Sequence, residues 1–457
     1  MRRAGGRGER MGIIYVIGAV AACAGLLFGF DTGAISGALL FIRPEFRLSP
    51  LQVGVVTSAA LAGATAGSVI GGALADRIGR RSVILITGVL FCVGSILSAL
   101  SASAGWLALS RLIIGVAIGI ASFVAPMYLS EISPPRNRGL IVALNQLAIT
   151  LGILASYVVA YVFEPGGRWR WMLGVGVFPA LILLAGMLAM PESPRWLARS
   201  GRREQALAVL RRVRPPAQAP VELADILSAA DAPEGRLRGL LAPTLRTPLV
   251  IGVGLAVLQQ ITGINTVIYY APIIFQRAGM PGAAASILAT MGVGVANVIM
   301  TVVALMLLDR AGRRPLLLVG EAGMVASLAL LAAGFAAGSQ GATATITTVS
   351  LVAYVGFFAI GLGPVFWVMI SEIYPLRVRG AAMSVATFAN WFSNLVVALV
   401  FPSLIAGLGP VVAFSGFAVI GVLGFLFSFR VVPETRRRTL EEIERQWDRA
   451  AGGALTP

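Results

Sequence analysis

Apolar residues run along this chain in long stretches broken by short polar punctuation, with neither the alternation of a half-buried strand nor the stripe of a surface helix. About 20 apolar residues in helical form cross the roughly 30 Å of hydrocarbon in a bilayer. Segments of that kind occupy residues 12–40, 51–75, 82–104, 106–129, 139–163, 171–190, 248–276, 283–308, 315–338, 345–370, 380–407 and 409–431. No segment alternates like a barrel strand, and lipid leaves helices as the way to satisfy the backbone. The pattern therefore predicts an all-α polytopic membrane protein of twelve transmembrane helices. Many segments are rich in Gly and Ala, which lets helices approach closely where lipid provides no hydrophobic drive between them.

Composition agrees: 57% of residues are hydrophobic and 12% charged, against about 25% charged in soluble domains. The formal net charge of +16 comes from Arg alone, since the chain has no Lys and no His. A nucleic-acid partner is excluded because the Arg residues form short clusters between apolar runs and not one basic face. The clusters fall at 2–10, 77–81, 136–138, 195–214, 310–314, 377–379 and 430–449, all on one side of an even number of crossings. The positive-inside rule then predicts cytoplasmic termini. The start resembles a signal peptide, but its apolar run continues to about residue 40 without a small-residue cleavage site, so it reads as a retained first span. Lack of His removes the commonest general base and neutral metal ligand. Cys23 and Cys92 lie in apolar runs without ligand spacing, which argues against a disulfide framework. No cofactor is expected, and an intramembrane enzyme is disfavoured.

The chain divides into bundles at 1–190 and 248–431, a polar linker at 191–247 and a tail at 432–457. Within the linker, 202–213 and 221–230 have helical periodicity broken by Pro215 and Pro216. The halves repeat. DRIGRR at 76–81 recurs as DRAGRR at 309–314, EISPPRNRG at 131–139 as EIYPLRVRG at 372–380, and PES at 191–193 as PET at 433–435. These matches predict two six-helix bundles in the same orientation, an architecture that transporters use around a midplane site.

Polar residues inside the spans are rare and informative. Gln259, Gln260 and Asn265 put several amides near one helix face, and amides both donate and accept hydrogen bonds without carrying charge. They suit a polyhydroxylated ligand, or equally hydrogen bonding between helices. Asp31 and Arg111 are ionisable residues well inside their helices, readable as a proton switch or as a static pair. Glu321 lies about two turns into the ninth segment, where a salt bridge to a nearby Arg is expected.

The motifs GLLFGFDTGAISGAL (25–39), the two DRxGRR loops, PMYLSEISPPRNRG (126–139), PESPRWL (191–197), QQITGINTVIYY (259–270), GPVFWVMISEIYP (363–375) and PETRRRTLEEIE (433–444) cover nearly the whole chain. Together they resemble the sugar porter branch of the Major Facilitator Superfamily, which contains bacterial proton-coupled hexose symporters and facilitative glucose transporters. The resemblance implies sugar contacts at Gln146, Gln259, Gln260, Asn265, Asn297 and Asn390. It implies a stacking face at Trp367 and a lining of Phe28, Tyr269 and Gly363. Gly263 and the stretch from Gly361 to Pro364 would bend helices seven and ten. In the proton symporters of the family an Asp and an Arg occupy the positions of Asp31 and Arg111, whereas the facilitators carry an amide in place of the acid. The cytoplasmic charges Asp76, Arg77, Arg80, Arg81, Glu131, Arg138 and Glu192, and in the second half Asp309, Arg310, Arg313, Arg314, Glu372, Arg379 and Glu434, would form a cytoplasmic gate network; some of the Arg residues serve topology alone.

Departures from the family sharpen the expectation. Ile153 and Gly176 stand where the xylose-type pattern has a Gln and an acid, and Asn390–Trp391 matches the hexose type. Arg436–Arg437 replaces the usual Lys-Gly. The expected function is proton symport of a hexose such as glucose or galactose, the partners being a monosaccharide, a proton and the lipid bilayer. A facilitative uniporter is the first alternative. A non-transporting sugar sensor is more remote, because such receptors need a long signalling tail and 26 residues follow the last span. The absence of an N-x-Ser/Thr sequon fits a bacterial inner membrane, and a monomer is the family-level expectation.

Overall fold

A computed structural model describes residues 2–133, 138–230, 243–338, 340–375 and 378–436, with side chains described over slightly narrower ranges. The first half contains α1 (Arg2–Glu45), α2 (Pro50–Ile78), α3 (Arg80–Ala99), α4 (Ala104–Ile132), α5 (Arg138–Phe163), α6 (Trp169–Gly174) and α7 (Val177–Ala189). The linker carries α8 (Pro194–Arg199), α9 (Arg203–Val213) and α10 (Ala219–Ala230). The second half contains α11 (Pro243–Ile261), α12 (Ile264–Arg277), α13 (Gly282–Ala311), α14 (Arg313–Ala337), α15 (Gln340–Ile360), α16 (Leu362–Ile373), α17 (Arg379–Gly407) and α18 (Gly409–Val431). Twelve spans are long and apolar enough to cross a membrane, each overlapping one predicted from hydropathy, and the described residues include no strand.

Local chemistry sets the boundaries. Ser49 and Gln52 form a reciprocal cap at the start of α2, with the Ser49 amide donating to Gln52 Oε1 at 2.9 Å and the Gln52 amide to Ser49 Oγ at 3.3 Å. The seventh span breaks at Gly263, whose φ of 93° only glycine adopts without strain. The tenth breaks at Gly361, as the sequence predicts, and the sixth also breaks between α6 and α7. Such breaks are tolerated at membrane depth where protein covers the freed backbone.

Glycines govern the packing within each half. A Cβ on Gly29 would lie 1.9 Å from the Ile149 carbonyl oxygen and one on Gly115 1.9 Å from that of Ala60, so α1–α5 and α2–α4 touch backbone to backbone. The linker is fastened to the first half. Buried Arg214 donates to the free carbonyls of Ile132 (2.7 Å) and Ser133 (3.0 Å) at the end of α4 and pairs with Glu222 at 2.6 Å. Around Trp196, Leu197 and Ala206 the linker helices bury a small core of their own.

The halves meet through α2 against α17, α5 against α13 and α1 against α12. A Cβ on Gly54 would come 2.2 Å from the Leu399 oxygen, and the Tyr157 hydroxyl donates to the Ile268 oxygen at 3.1 Å. These contacts lie toward the helix ends remote from the DRxGRR turns. The molecule is thus sealed on the face opposite its Arg clusters. Gly54→Leu cannot make this seal: a cysteine introduced at buried Ser58 (with Cys23 and Cys92 replaced) should react several-fold faster with an impermeant maleimide in the Gly54→Leu protein, and unchanged labelling would contradict this packing.

Candidate functional site

The amides singled out in the sequence gather where the breaks of α11–α12 and α15–α16 approach α17. Gln259 Nε2 donates to the carbonyls of Leu362 (3.0 Å) and Gly363 (3.2 Å), in the first turn of α16 just past the break at Gly361. Asn390 Nδ2 donates to Gln259 Oε1 at 2.7 Å and to the Ala256 oxygen at 3.0 Å. Gln260 Nε2 reaches Asn390 Oδ1 (3.1 Å) and Gln259 Oε1 (3.2 Å), and Asn265 Nδ2 reaches Gln260 Oε1 at 2.6 Å. Gln259, Gln260 and Asn390 are buried and Asn265 half-buried. Four amides therefore satisfy one another in a connected network, which a ligand rich in hydroxyls could enter by exchanging bonds one for one.

Beside it lies the ion pair. Arg111 Nη1 and Nη2 donate to Asp31 Oδ1 and Oδ2 at 3.0 and 3.1 Å, with Arg111 1% and Asp31 6% exposed. The fork geometry matches guanidinium to carboxylate, and a pair so deep holds by that fit. Both side chains border a cavity of about 10 Å³, room for no more than one water. Phe28 and Thr57 of the first half and Tyr269 and Trp391 of the second line it too. The Phe28 and Trp391 rings are 5.3 Å apart, Asn394 Nδ2 donates to the Tyr269 oxygen at 3.4 Å, and the indole nitrogen of Trp391 is buried without a partner. The cavity thus lies between the charge pair of the first half and Tyr269 and Trp391 of the second, and Trp391 is next in sequence to Asn390 of the amide network.

The remaining residues are less drawn in. Gln146 is half-buried and Asn297 buried, and neither has a hydrogen-bond partner among the described residues. Trp367 stands apart from the cavity: it packs edge-on against Phe366 at 4.8 Å and is 36% exposed, while Trp391 supplies the enclosed aromatic face. Trp391 and Asn394 are not among the site residues expected from the sequence; the signal that could have found them is that Asn394 follows Asn390 by one helical turn and Trp391 adjoins it.

The gate residues form two matching networks. Arg80 Nε pairs with Glu131 at 3.1 Å and Nη2 with Asp76 at 3.1 Å, while Glu192 accepts from the backbone amides of Arg80 and Arg81. In the second half Arg313 Nη2 pairs with Glu372 at 3.0 Å, and Glu434 accepts from the amides of Arg313 and Arg314. Ser193 donates to Glu131 as Thr435 does to Glu372. Arg379 donates to the Tyr374 oxygen, and Arg77 and Arg310 are exposed. The side chains of Arg138 and Asp309 lie outside the described residues. Each of these contacts joins helices of one half, so among the described residues the networks brace the halves separately.

Glu321 corrects an expectation. It is 4% exposed and makes no salt bridge among the described residues; Ser428 Oγ donates to its Oε1 at 2.8 Å. The arginines that open its own helix are engaged elsewhere, Arg313 with Glu372 and the Leu308 oxygen and Arg314 with the Phe429 oxygen.

Comparison with known proteins follows from this geometry. The family model described as sugar (and other) transporter matches residues 17–447. The glucose transporter GlcP of Staphylococcus epidermidis is 41% identical over 94% of this chain and 96% of its own. The galactose-proton symporter of Escherichia coli K12 is 39% identical over 93% of this chain and 92% of its own. The solved inward open conformation of the xylose transporter XylE from E. coli aligns at a TM-score of 0.82 with 34% identity, covering 95% of this chain and all (100%) of that one.

The ion pair predicts an asymmetry. A carboxyl left alone can take up a proton, whereas a guanidinium cannot shed one. Asp31→Asn should therefore cost more thermal stability than Arg111→Gln, up to about 3–5 kcal/mol, and the double variant should recover most of the loss. Additive effects in thermal unfolding would show that the two side chains do not act as a pair.

Proposed function

Given that the chain belongs to the sugar transporter family of the Major Facilitator Superfamily, and is a transporter rather than an enzyme, we propose that it imports a hexose together with a proton by alternating access. The observation that carries this reading is the position of the Asp31–Arg111 pair: it borders the same small cavity as Tyr269 and Trp391, and Trp391 is next in sequence to Asn390 of the amide network.

In this reading the two six-helix halves rock about the sugar site, with the linker and both termini in the cytoplasm of a bacterial inner membrane. The molecule works as a monomer. The hydroxyls of the sugar replace the amide–amide bonds of Gln259, Gln260, Asn265 and Asn390, and Gln146 and Asn297 supply further donors and acceptors. Phe28 and Trp391, with Trp367 moving in as the site closes, cover the apolar ring face. Uncharged partners give up little solvation when sugar leaves, which keeps binding reversible.

The proton acts through charge balance. When Asp31 is protonated it no longer neutralises buried Arg111, and an unpaired buried charge costs about 3–5 kcal/mol. Inverting a two-state population from 1:99 to 99:1 takes about 5.5 kcal/mol. One proton on one pair thus supplies most of what a conformational switch requires, and it does so where the halves touch. The family carries an amide at this position in facilitators, and the acid is what distinguishes this chain from them. Ile153, buried with its carbonyl bonded to Ser156, and Gly176 remove the amide and the acid of the xylose pattern, which favours a hexose.

In cells expressing the protein, accumulation of labelled glucose or galactose should collapse with a protonophore. Asp31→Asn should abolish accumulation yet retain sugar counterflow. Uptake that only equilibrates, indifferent to the protonophore, would make the protein a facilitator, accumulation that survives Asp31→Asn would place the proton elsewhere, and competition by a panel of sugars names the substrate.

A further inference from the structure

A second cavity belongs to neither the sugar site nor the proton pair. It encloses about 550 Å³ between the α2–α3 turn, the end of α7 and the linker helices α8 and α9. Its charged lining consists of Arg77, Arg81 and Arg202 against the single carboxylate of Glu192, with Ser82 and Gln205 as polar neighbours. That carboxylate already accepts from the backbone amides of Arg80, Arg81 and Ser193. Three guanidinium groups thus share a concave site whose one acid is spoken for.

Two of the three, Arg81 and Arg202, are held in place by contacts. Arg81 is held by bonds from Nε to the Met187 oxygen (2.9 Å) and from Nη2 to the Leu188 oxygen (2.8 Å). Arg202 lies over the Trp196 ring at 5.4 Å, and that indole is fixed by its bond to the Asp76 oxygen at 2.9 Å. Arg77 has no hydrogen-bond or ion-pair partner among the described residues. Positioned guanidinium groups with donors to spare match the oxygens of a phosphate, whose charge near −2 would balance the excess. The volume is that of a small-molecule site. Arg310 and Arg314 repeat Arg77 and Arg81 in the second half, but among the described residues no helix pair like α8–α9 walls them in.

We propose that this cavity binds a phosphate-bearing anion, either a soluble phosphomonoester of about phosphosugar size or the phosphate of a lipid headgroup. Its occupant ties the linker to the α2–α3 turn and so bears on the charge network of the first half.

The test uses the full-length protein in nanodiscs of phosphatidylcholine, titrated with glucose 6-phosphate and followed by thermal unfolding. Saturable stabilisation is expected, competed by inorganic phosphate but not by glucose, and weakened as salt rises from about 50 to about 300 mM. Arg202→Gln, at an exposed linker position, should leave unliganded stability and sugar transport intact while weakening glucose 6-phosphate binding by about fivefold or more. Repeating the titration in phosphatidylglycerol nanodiscs separates the sources: competition by the lipid assigns the site to a headgroup, and unchanged affinity assigns it to the soluble ester. Absence of saturable binding together with identical behaviour of Arg202→Gln in both lipids overturns the proposal, as does competition by glucose, which would place the probe in the sugar site.

Discussion

Hydrocarbon neither donates nor accepts a hydrogen bond, so every polar group carried into the membrane must find its partner in the protein. That constraint organises the molecule. It makes the spans helical and leaves close glycine-mediated contact, such as Gly29 on Ile149 and Gly115 on Ala60, to hold them together. It also explains why the buried amide of Gln259 is met by carbonyls in the first turn of α16 and, in turn, by Asn390 and Gln260. A sugar can replace the network because its hydroxyls offer the same two capacities.

The same constraint gives Asp31 and Arg111 their leverage. On a surface such a pair contributes at most about 1 kcal/mol. Buried, each half of the pair depends on the other, and a single proton disturbs the balance. The pair stands against the seam between the halves, with Tyr269 and Trp391 across a cavity of about 10 Å³. In the proposed mechanism, protonation is therefore felt at the surface that opens and closes. The charge networks at the Arg-rich ends hold each half rigid, so that the motion is of bodies and not of loose helices.

Much of this was legible in the sequence. Hydropathy located all twelve spans, because length and apolarity are enough to specify a crossing. The repeated DRxGRR, EI and PE motifs foretold networks that match residue for residue, Arg80 with Arg313 and Glu192 with Glu434. Gly263 and Gly361 announced their breaks through their chemistry. The face each helix presents was harder to read, since it depends on crossing geometry that periodicity does not contain. Trp391 and not Trp367 closes the cavity, Glu321 bonds to Ser428 and not to an Arg, and α8, a single turn and a half begun by Pro194, is too short to show a period. Which face of the molecule is sealed could not be read either, because the same residues serve every state of the cycle.

The central claim, that sugar and proton move together, has a direct electrical consequence. Symport of a neutral sugar with a proton carries net charge, so an inside-negative potential alone should drive accumulation. In proteoliposomes at equal pH on both sides, a potassium diffusion potential set by valinomycin should concentrate the transported hexose inside the vesicles, and collapsing the potential should release it. Sugar that only equilibrates, whatever the potential, would contradict the account.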